Sequence, residues 1–131
     1  MYQQLDNLWI LCGDARRVPS IVPERTLSEL HVNYPEPPPV NSTHIEEEMS
    51  SDVVTKQFLR DMRPLMVVNG ALNIVSDDKL YIHTVANTVS DALGIESVFP
   101  KSSKTLVDSY FARFFSKKAK RWAIAVTVPS A

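Results

Sequence analysis

Glycine is scarce in this chain, with three in 131 residues: Gly13, Gly70 and Gly94. A phosphate-cradling loop needs glycines close together, because only a bare backbone approaches a phosphate closely enough. There is no Gly-x-Gly-x-x-Gly, no Walker loop and no Gly-x-Ser-x-Gly, and each glycine already suits a turn or a helix end. The single cysteine, Cys12, excludes an internal disulfide. It lies in the apolar run Leu8-Trp9-Ile10-Leu11-Cys12, where a buried structural thiol is expected. Unbroken apolar runs reach about five residues, against the ~20 that a membrane-spanning helix needs. The start, Met1-Tyr2-Gln3-Gln4-Leu5-Asp6, lacks the basic and apolar stretches of a signal peptide, so an intracellular protein, cytoplasmic or nuclear, is expected. His31, His44 and His83 fall in separate elements without metal-ligand spacing, so neither a metal nor a cofactor is expected.

What the chain does have is a separation of charge. From Lys101 to Arg121 there are seven basic residues (Lys101, Lys104, Arg113, Lys117, Lys118, Lys120, Arg121) and one acid, Asp108, although the net charge is −1. Such a pole suits a polyanion or an acidic partner. Tyr110 and Trp122 lie near enough in sequence to stack on a base. Membrane-surface contact is compatible with the same cations. The alternative is plain solvated charge, since basic residues in a last helical turn suit the helix dipole anyway.

Four prolines in five residues, Pro35, Pro37, Pro38 and Pro39, forbid helix and central strand and favour an extended run. They read as a connector over residues 34–42 between an N-terminal segment, 1–33, and a main core, 43–131, of a single domain. A ligand for a proline-reading partner is the sharper alternative.

The remaining pattern indicates an α+β fold with a small, mainly antiparallel sheet and two or three helices. Residues 3–12 carry both helical and strand signals. Thr26-Leu27-Ser28-Glu29 fits a capping box opening a short helix through His31, and Thr43 with Glu46 a second, opening a helix that stops before Pro64. Asn69-Gly70 between Leu65–Val68 and Ala71–Val75 predicts a two-residue hairpin, and Leu80–His83 a third strand, giving a meander over 65–83. A helix is expected from Thr84 to Gly94, a short strand over 95–99, a helix from Thr105 to about Lys118, and a strand over 122–128.

Ser76-Asp77-Asp78 between two apolar runs resembles the catalytic turn of nidovirus and segmented negative-strand RNA polymerases. That resemblance implies metal ions held by Asp77 and Asp78 at a hairpin tip. A second aspartate motif is not evident, and an ordinary Asp/Ser turn accounts for the same residues. The balance favours a non-catalytic binding or assembly module, not an enzyme. It would contact nucleic acid or an acidic protein through the basic segment, as a small viral structural or accessory protein would. The rival is a protein–protein adaptor or homo-oligomeric structural protein. The final strand, if at a sheet edge, could pair with a second copy in a homodimer.

Overall fold

The computed structural model describes residues 5–38, 52–103 and 121–130. Among them, strand β1 spans Leu27–Asn33, helix α1 Lys56–Met62, strand β2 Met66–Ser76, helix α2 Lys79–Leu93, strand β3 Lys101–Ser103 and strand β4 Arg121–Thr127. Single 3-10 turns cover Ala15–Ser20 and Arg63–Leu65. The strands form one mixed sheet in the order β1-β2-β4-β3. β1 and β2 are parallel, and β4 is antiparallel to both of its neighbours. β3 therefore runs the same way as β1 and β2. The fold is α+β as expected, with a sheet that is mixed rather than mainly antiparallel.

β2 organises the core. Leu72 and Ile74 on one of its faces join Ile124 and Val128 from the β4 side, Phe58, Leu59 and Met62 of α1, and Ile82, Val85, Val89 and Leu93 of α2. The α2 residues recur at helical spacing, so one stripe of the helix is apolar and the opposite stripe faces water. Asp78 caps its start, with Oδ1 accepting from the Tyr81 amide at 2.9 Å. Gly94 ends it in the left-handed region, φ 65°, where only glycine is unstrained. Thr55 caps α1 in the same way, accepting from the Phe58 amide at 3.1 Å.

Several expected elements are replaced. Residues 27–31 are strand, not helix: from Glu29 to Asn33 the side chains alternate between exposed and half-buried, and the backbone pairs with β2 from Glu29↔Ala71 to Asn33↔Val75. Tertiary pairing here outweighs the capping-box signal. The hairpin at Asn69-Gly70 is absent, because β2 passes straight through it. Asn69 does take a left-handed φ of 61°, but the turn residues are absorbed as a bulge, the pairing with β1 jumping from Leu27↔Met66 to Glu29↔Ala71. The meander over 65–83 is therefore one strand followed by a helix. Leu80–His83 is the first turn of α2, with Leu80 82% exposed and His83 exposed. The strand expected over 95–99 lies instead at 101–103. The expected strand over 122–128 corresponds to β4, but β4 lies inside the sheet, between β2 and β3. Its first residues, Arg121–Ala123, have β3 on the side away from β2, so β4 is not the sheet-edge strand that the homodimer expectation supposed. Residues 5–13 are neither helix nor strand, and Cys12 is exposed rather than buried. The expected helix over 105–118 and the start of the expected helix at 43–51 lie outside the described residues.

Candidate functional site

Parallel strands all end at one side of their sheet, and that side is where open α/β sheets bind ligands. Here β1, β2 and β3 end together, and β4 begins beside them. The register fixes the assembly: Asn33 lies opposite Val75, Ser76 opposite Trp122, and Ser103 opposite Arg121. One edge of the sheet thus gathers the turn after β1 (Tyr34–Pro38), the turn after β2 (Asp77 and Asp78), the end of β3, and Arg121 with Trp122. The turn Tyr34–Pro38, the acid pair and Arg121, far apart in sequence, meet at this edge.

The turn after β1 leaves the sheet under strain. Tyr34 has φ 52°, in the left-handed region, a genuine outlier for a bulky side chain. Its amide donates to the Val75 carbonyl at 2.8 Å, which holds the bend against β2. Backbone strain of this kind costs on the order of 1–3 kcal/mol and clusters at functional sites. Pro35 follows half-buried, while Glu36, Pro37 and Pro38 are exposed. Fixed backbone angles at the prolines keep this turn stiff.

The turn after β2 is built by its own side chains. Ser76 is 1% exposed, and its Oγ accepts from the Asp78 amide at 3.1 Å. Asp78 is committed to capping α2, which leaves Asp77 as the exposed carboxylate, without a hydrogen-bond or ion-pair partner among the described residues. Behind it, the Tyr81 hydroxyl donates to Asp52 Oδ1 at 2.8 Å, and the Val54 amide donates to the same oxygen at 3.1 Å. Burial pushes the Asp52 carboxyl up, with both hydrogen bonds opposing, and burial also raises the Tyr81 hydroxyl. This contact ties the chain entering α1 to the first turn of α2.

Of the basic residues expected to bind a polyanion, Lys101 and Arg121 are placed, at the first position of β3 and of β4. Lys104, Arg113, Lys117, Lys118 and Lys120 lie outside the described residues, as do Tyr110 and Pro39. Trp122 is half-buried and packs on the core, so it offers little of its face for stacking. The polymerase-like geometry is not present: Asp77 and Asp78 join a strand to a helix rather than capping a hairpin, and Asp78 is engaged as a cap. No group of three His, Cys, Asp or Glu among the described residues could hold a metal. A cleft of about 280 Å3 lies near the opposite edge, lined by Arg25, Arg63, Met66, Val68 and Pro129 among others, away from all of these groups. Sequence reading missed the convergence because it missed β1. The available signal was the run Leu27, Leu30, Val32 ended by Asn33-Tyr34-Pro35, which reads as a strand stopped by a proline.

Comparison with known proteins bears on this edge. The chain is 28% identical over 121 residues to a tRNA (guanine-N(7)-)-methyltransferase of Chlamydia caviae, covering 89% of this chain and 52% of that protein. It is 29% identical over 82 residues to the protein of the same description from Mycoplasma genitalium, covering 62% of this chain and 37% of that one. The chain thus spans about half, or less, of the length of these relatives. Its fold resembles a protein of Thermus thermophilus described as a putative DNA modification methylase and solved with S-adenosyl-L-methionine. That match has a TM-score of 0.53 and 20% identity, over 91% of this chain and 54% of the other. A family model described as "Putative methyltransferase" matches residues 2–124. These findings overturn the expectation of a non-catalytic binding or assembly module, and with it the adaptor, structural and viral readings and the expectation that the chain is no enzyme. Matched over nearly all of its length, the chain belongs to that methyltransferase family.

Proposed function

We propose that this chain forms the substrate-facing part of an S-adenosylmethionine-dependent methyltransferase acting on guanine in transfer RNA. The observation that carries the reading is the shared edge, where a strained aromatic-proline turn, an exposed carboxylate and an arginine meet at the carboxyl ends of parallel strands. The names of the curated relatives supply the substrate class.

The donor itself does not fit the described residues. An adenosine and an amino-acid moiety bound beside a parallel sheet need a turn where glycine lets the backbone come close. At Gly13 an added Cβ would meet nothing within 4 Å, Gly70 is enclosed by Met66, Val67 and Ser28, and Gly94 caps α2. None offers a cradle for the donor at the site.

What the chain's own residues can do is hold the acceptor base. A guanine turned out of its stack presents N1–H and an amino group on its Watson–Crick edge, donors that a carboxylate such as Asp77 accepts. N7 already carries a lone pair and needs no base to remove a proton. Catalysis there is positioning, together with a carboxylate that balances the positive charge arising on the methylated ring. Arg121, Lys101 and the other cations of the 101–121 segment engage phosphates, each adding a salt-sensitive increment. The bacterial source of the relatives lends support to a cytoplasmic setting and none to a nuclear one, and no helix among the described residues is long and apolar enough to cross a membrane.

Filter binding of an unmodified tRNA transcript tests the reading. Affinity is expected to fall steeply with salt and to drop on changing Lys101 and Arg121 to Gln, while Asp77→Asn leaves the salt slope unchanged and weakens competition by guanosine-rich over cytidine-rich oligonucleotides. Salt-independent binding, or equal affinity for both oligonucleotides in the parent chain, overturns it.

A further inference from the structure

The cleft of about 280 Å3 lies where β2 begins and β4 has ended, lined by Glu24, Arg25, Arg63, Met66, Val68 and Val128 among others. β2 has eleven residues, so at ~3.3 Å per residue roughly 30 Å of strand separate the cleft from Asp77. A small occupant of one does not touch the other. Arg63 is half-buried and oriented: its Nε donates to the Pro129 carbonyl at 3.3 Å and its Nη2 to the Ser130 carbonyl at 2.8 Å. A guanidinium carries more N–H donors than these bonds use, and the others remain available. Arg25 has φ 57°, in the left-handed region that a long side chain rarely adopts. Its amide and that of Thr26 donate to the Pro64 and Leu65 carbonyls at 3.0 and 2.9 Å, which fastens the bend beside Arg63. Neither the Arg25 guanidinium nor the Glu24 carboxylate has a hydrogen-bond or ion-pair partner among the described residues.

These walls set the chemistry of an occupant. Two guanidiniums against one carboxylate ask for an anion, and their planar forks match the oxygens of a phosphate. Met66, Val67, Val68 and Val128 offer an apolar surface to a flat body, and Glu24 accepts from a hydroxyl or an amine. We propose that the cleft binds a nucleoside monophosphate. Its phosphate lies on Arg25 and Arg63, its base against Met66, Val68 and Val128, and its ribose hydroxyls donate to Glu24. Inorganic phosphate alone would leave the apolar wall wet, and an apolar carboxylate would leave Glu24 without a donor. At about 280 Å3, near the lower end of the range for small-molecule pockets, the cleft takes a single nucleotide and not a duplex. A free mononucleotide and the 5′-phosphorylated end of an RNA strand present this same chemistry. The site depends neither on methyl transfer nor on the acceptor edge.

Calorimetric titration of this chain with adenosine 5′-monophosphate is the test. The nucleotide is expected to bind about tenfold or more tightly than adenosine or inorganic phosphate. Arg25→Gln should weaken it by about tenfold or more, as loss of one hydrogen bond to a charged group does. Arg25 is exposed, so the unfolding temperature of that variant should stay that of the parent. Amide shifts on titration should centre on residues 24–26 and 66–68, and changing Lys101 and Arg121 to Gln should leave the affinity unchanged. No binding at about millimolar nucleotide, equal affinity for adenosine or for inorganic phosphate, indifference to Arg25→Gln, or loss of binding with Lys101 and Arg121 would each overturn the proposal. A 5′-phosphorylated RNA tetranucleotide separates the two sources. Binding as tight as the mononucleotide's, lost without the 5′-phosphate, identifies a strand end; failure to bind identifies the free nucleotide, and either result upholds the site.

Discussion

Replacing Tyr81 by Phe isolates the contact that ties Asp52, on the chain entering α1, to the first turn of α2. The ring stays in a site where Tyr81 is 6% exposed, so packing is conserved and only the hydroxyl donor to Asp52 Oδ1, at 2.8 Å, is lost. A hydrogen bond to a charged group contributes roughly 1.5–3 kcal/mol. Asp52 is only half-buried, and solvent can partly replace the donor, so a loss of about 1–2 kcal/mol at neutral pH is expected. For a chain of this size that lowers the unfolding temperature by roughly 3–8 °C. The pH dependence has a definite sign. Burial holds the Asp52 carboxyl above its unfolded value, so the folded state binds its proton more tightly. Stability is fullest below the unfolded pKa and declines as pH rises through the folded one. The Tyr81 hydroxyl limits that decline by favouring the carboxylate, so its removal matters most above the Asp52 transition and least when the carboxyl is protonated. Chemical denaturation of parent and Tyr81→Phe from mildly alkaline to acidic pH reads this directly. A difference under about 0.5 kcal/mol at neutral pH, or one that does not shrink in acid, would refute the assignment of Asp52 as a charged acceptor.

Other expectations concern the elements that build the site. Asp78→Ala removes the cap of α2 and should cost about 1 kcal/mol in denaturation, with faster hydrogen exchange confined to the first turn of the helix; unchanged exchange there would exclude the cap. Gly70→Ala places a Cβ 2.9 Å from Met66 Cε, 3.1 Å from the Val67 carbonyl oxygen and 3.3 Å from that of Ser28. The methionine can move but the two carbonyls are main chain, held between the paired residues on either side of the bulge, so a net loss of about 1–2 kcal/mol is expected, and a thermal melt at or above the parent's would show that the bulge relaxes freely.

Some of the site is readable from residue order alone. The asparagine-glycine pair announces a special backbone conformation, and Asn69 has one, but local chemistry cannot say whether the chain reverses or bulges. That depends on β1, which offers Glu29–Asn33 as a parallel partner and draws β2 straight on. Asp78 reads as a turn residue, yet its use as a helix cap depends on Ile82, Val85 and Val89 finding the core together with Phe58 and Ile74. Cys12 misleads for a related reason: its apolar neighbours signal burial, and nothing among the described residues covers them.

By itself the sequence determined the α+β class, the end of α2 at Gly94, a final strand close to β4, the stiffness of the proline turn and the lack of a glycine cradle. These follow from local backbone preference and periodicity, which act within a few residues. Only the tertiary structure decided that β1 is a strand, that β4 is internal, and that Tyr34, Asp77 and Arg121 share an edge. Pairing of β2 with β1 and β4 joins residues such as Asn33 with Val75 and Ser76 with Trp122, far apart in the chain, and no local propensity encodes which of them meet.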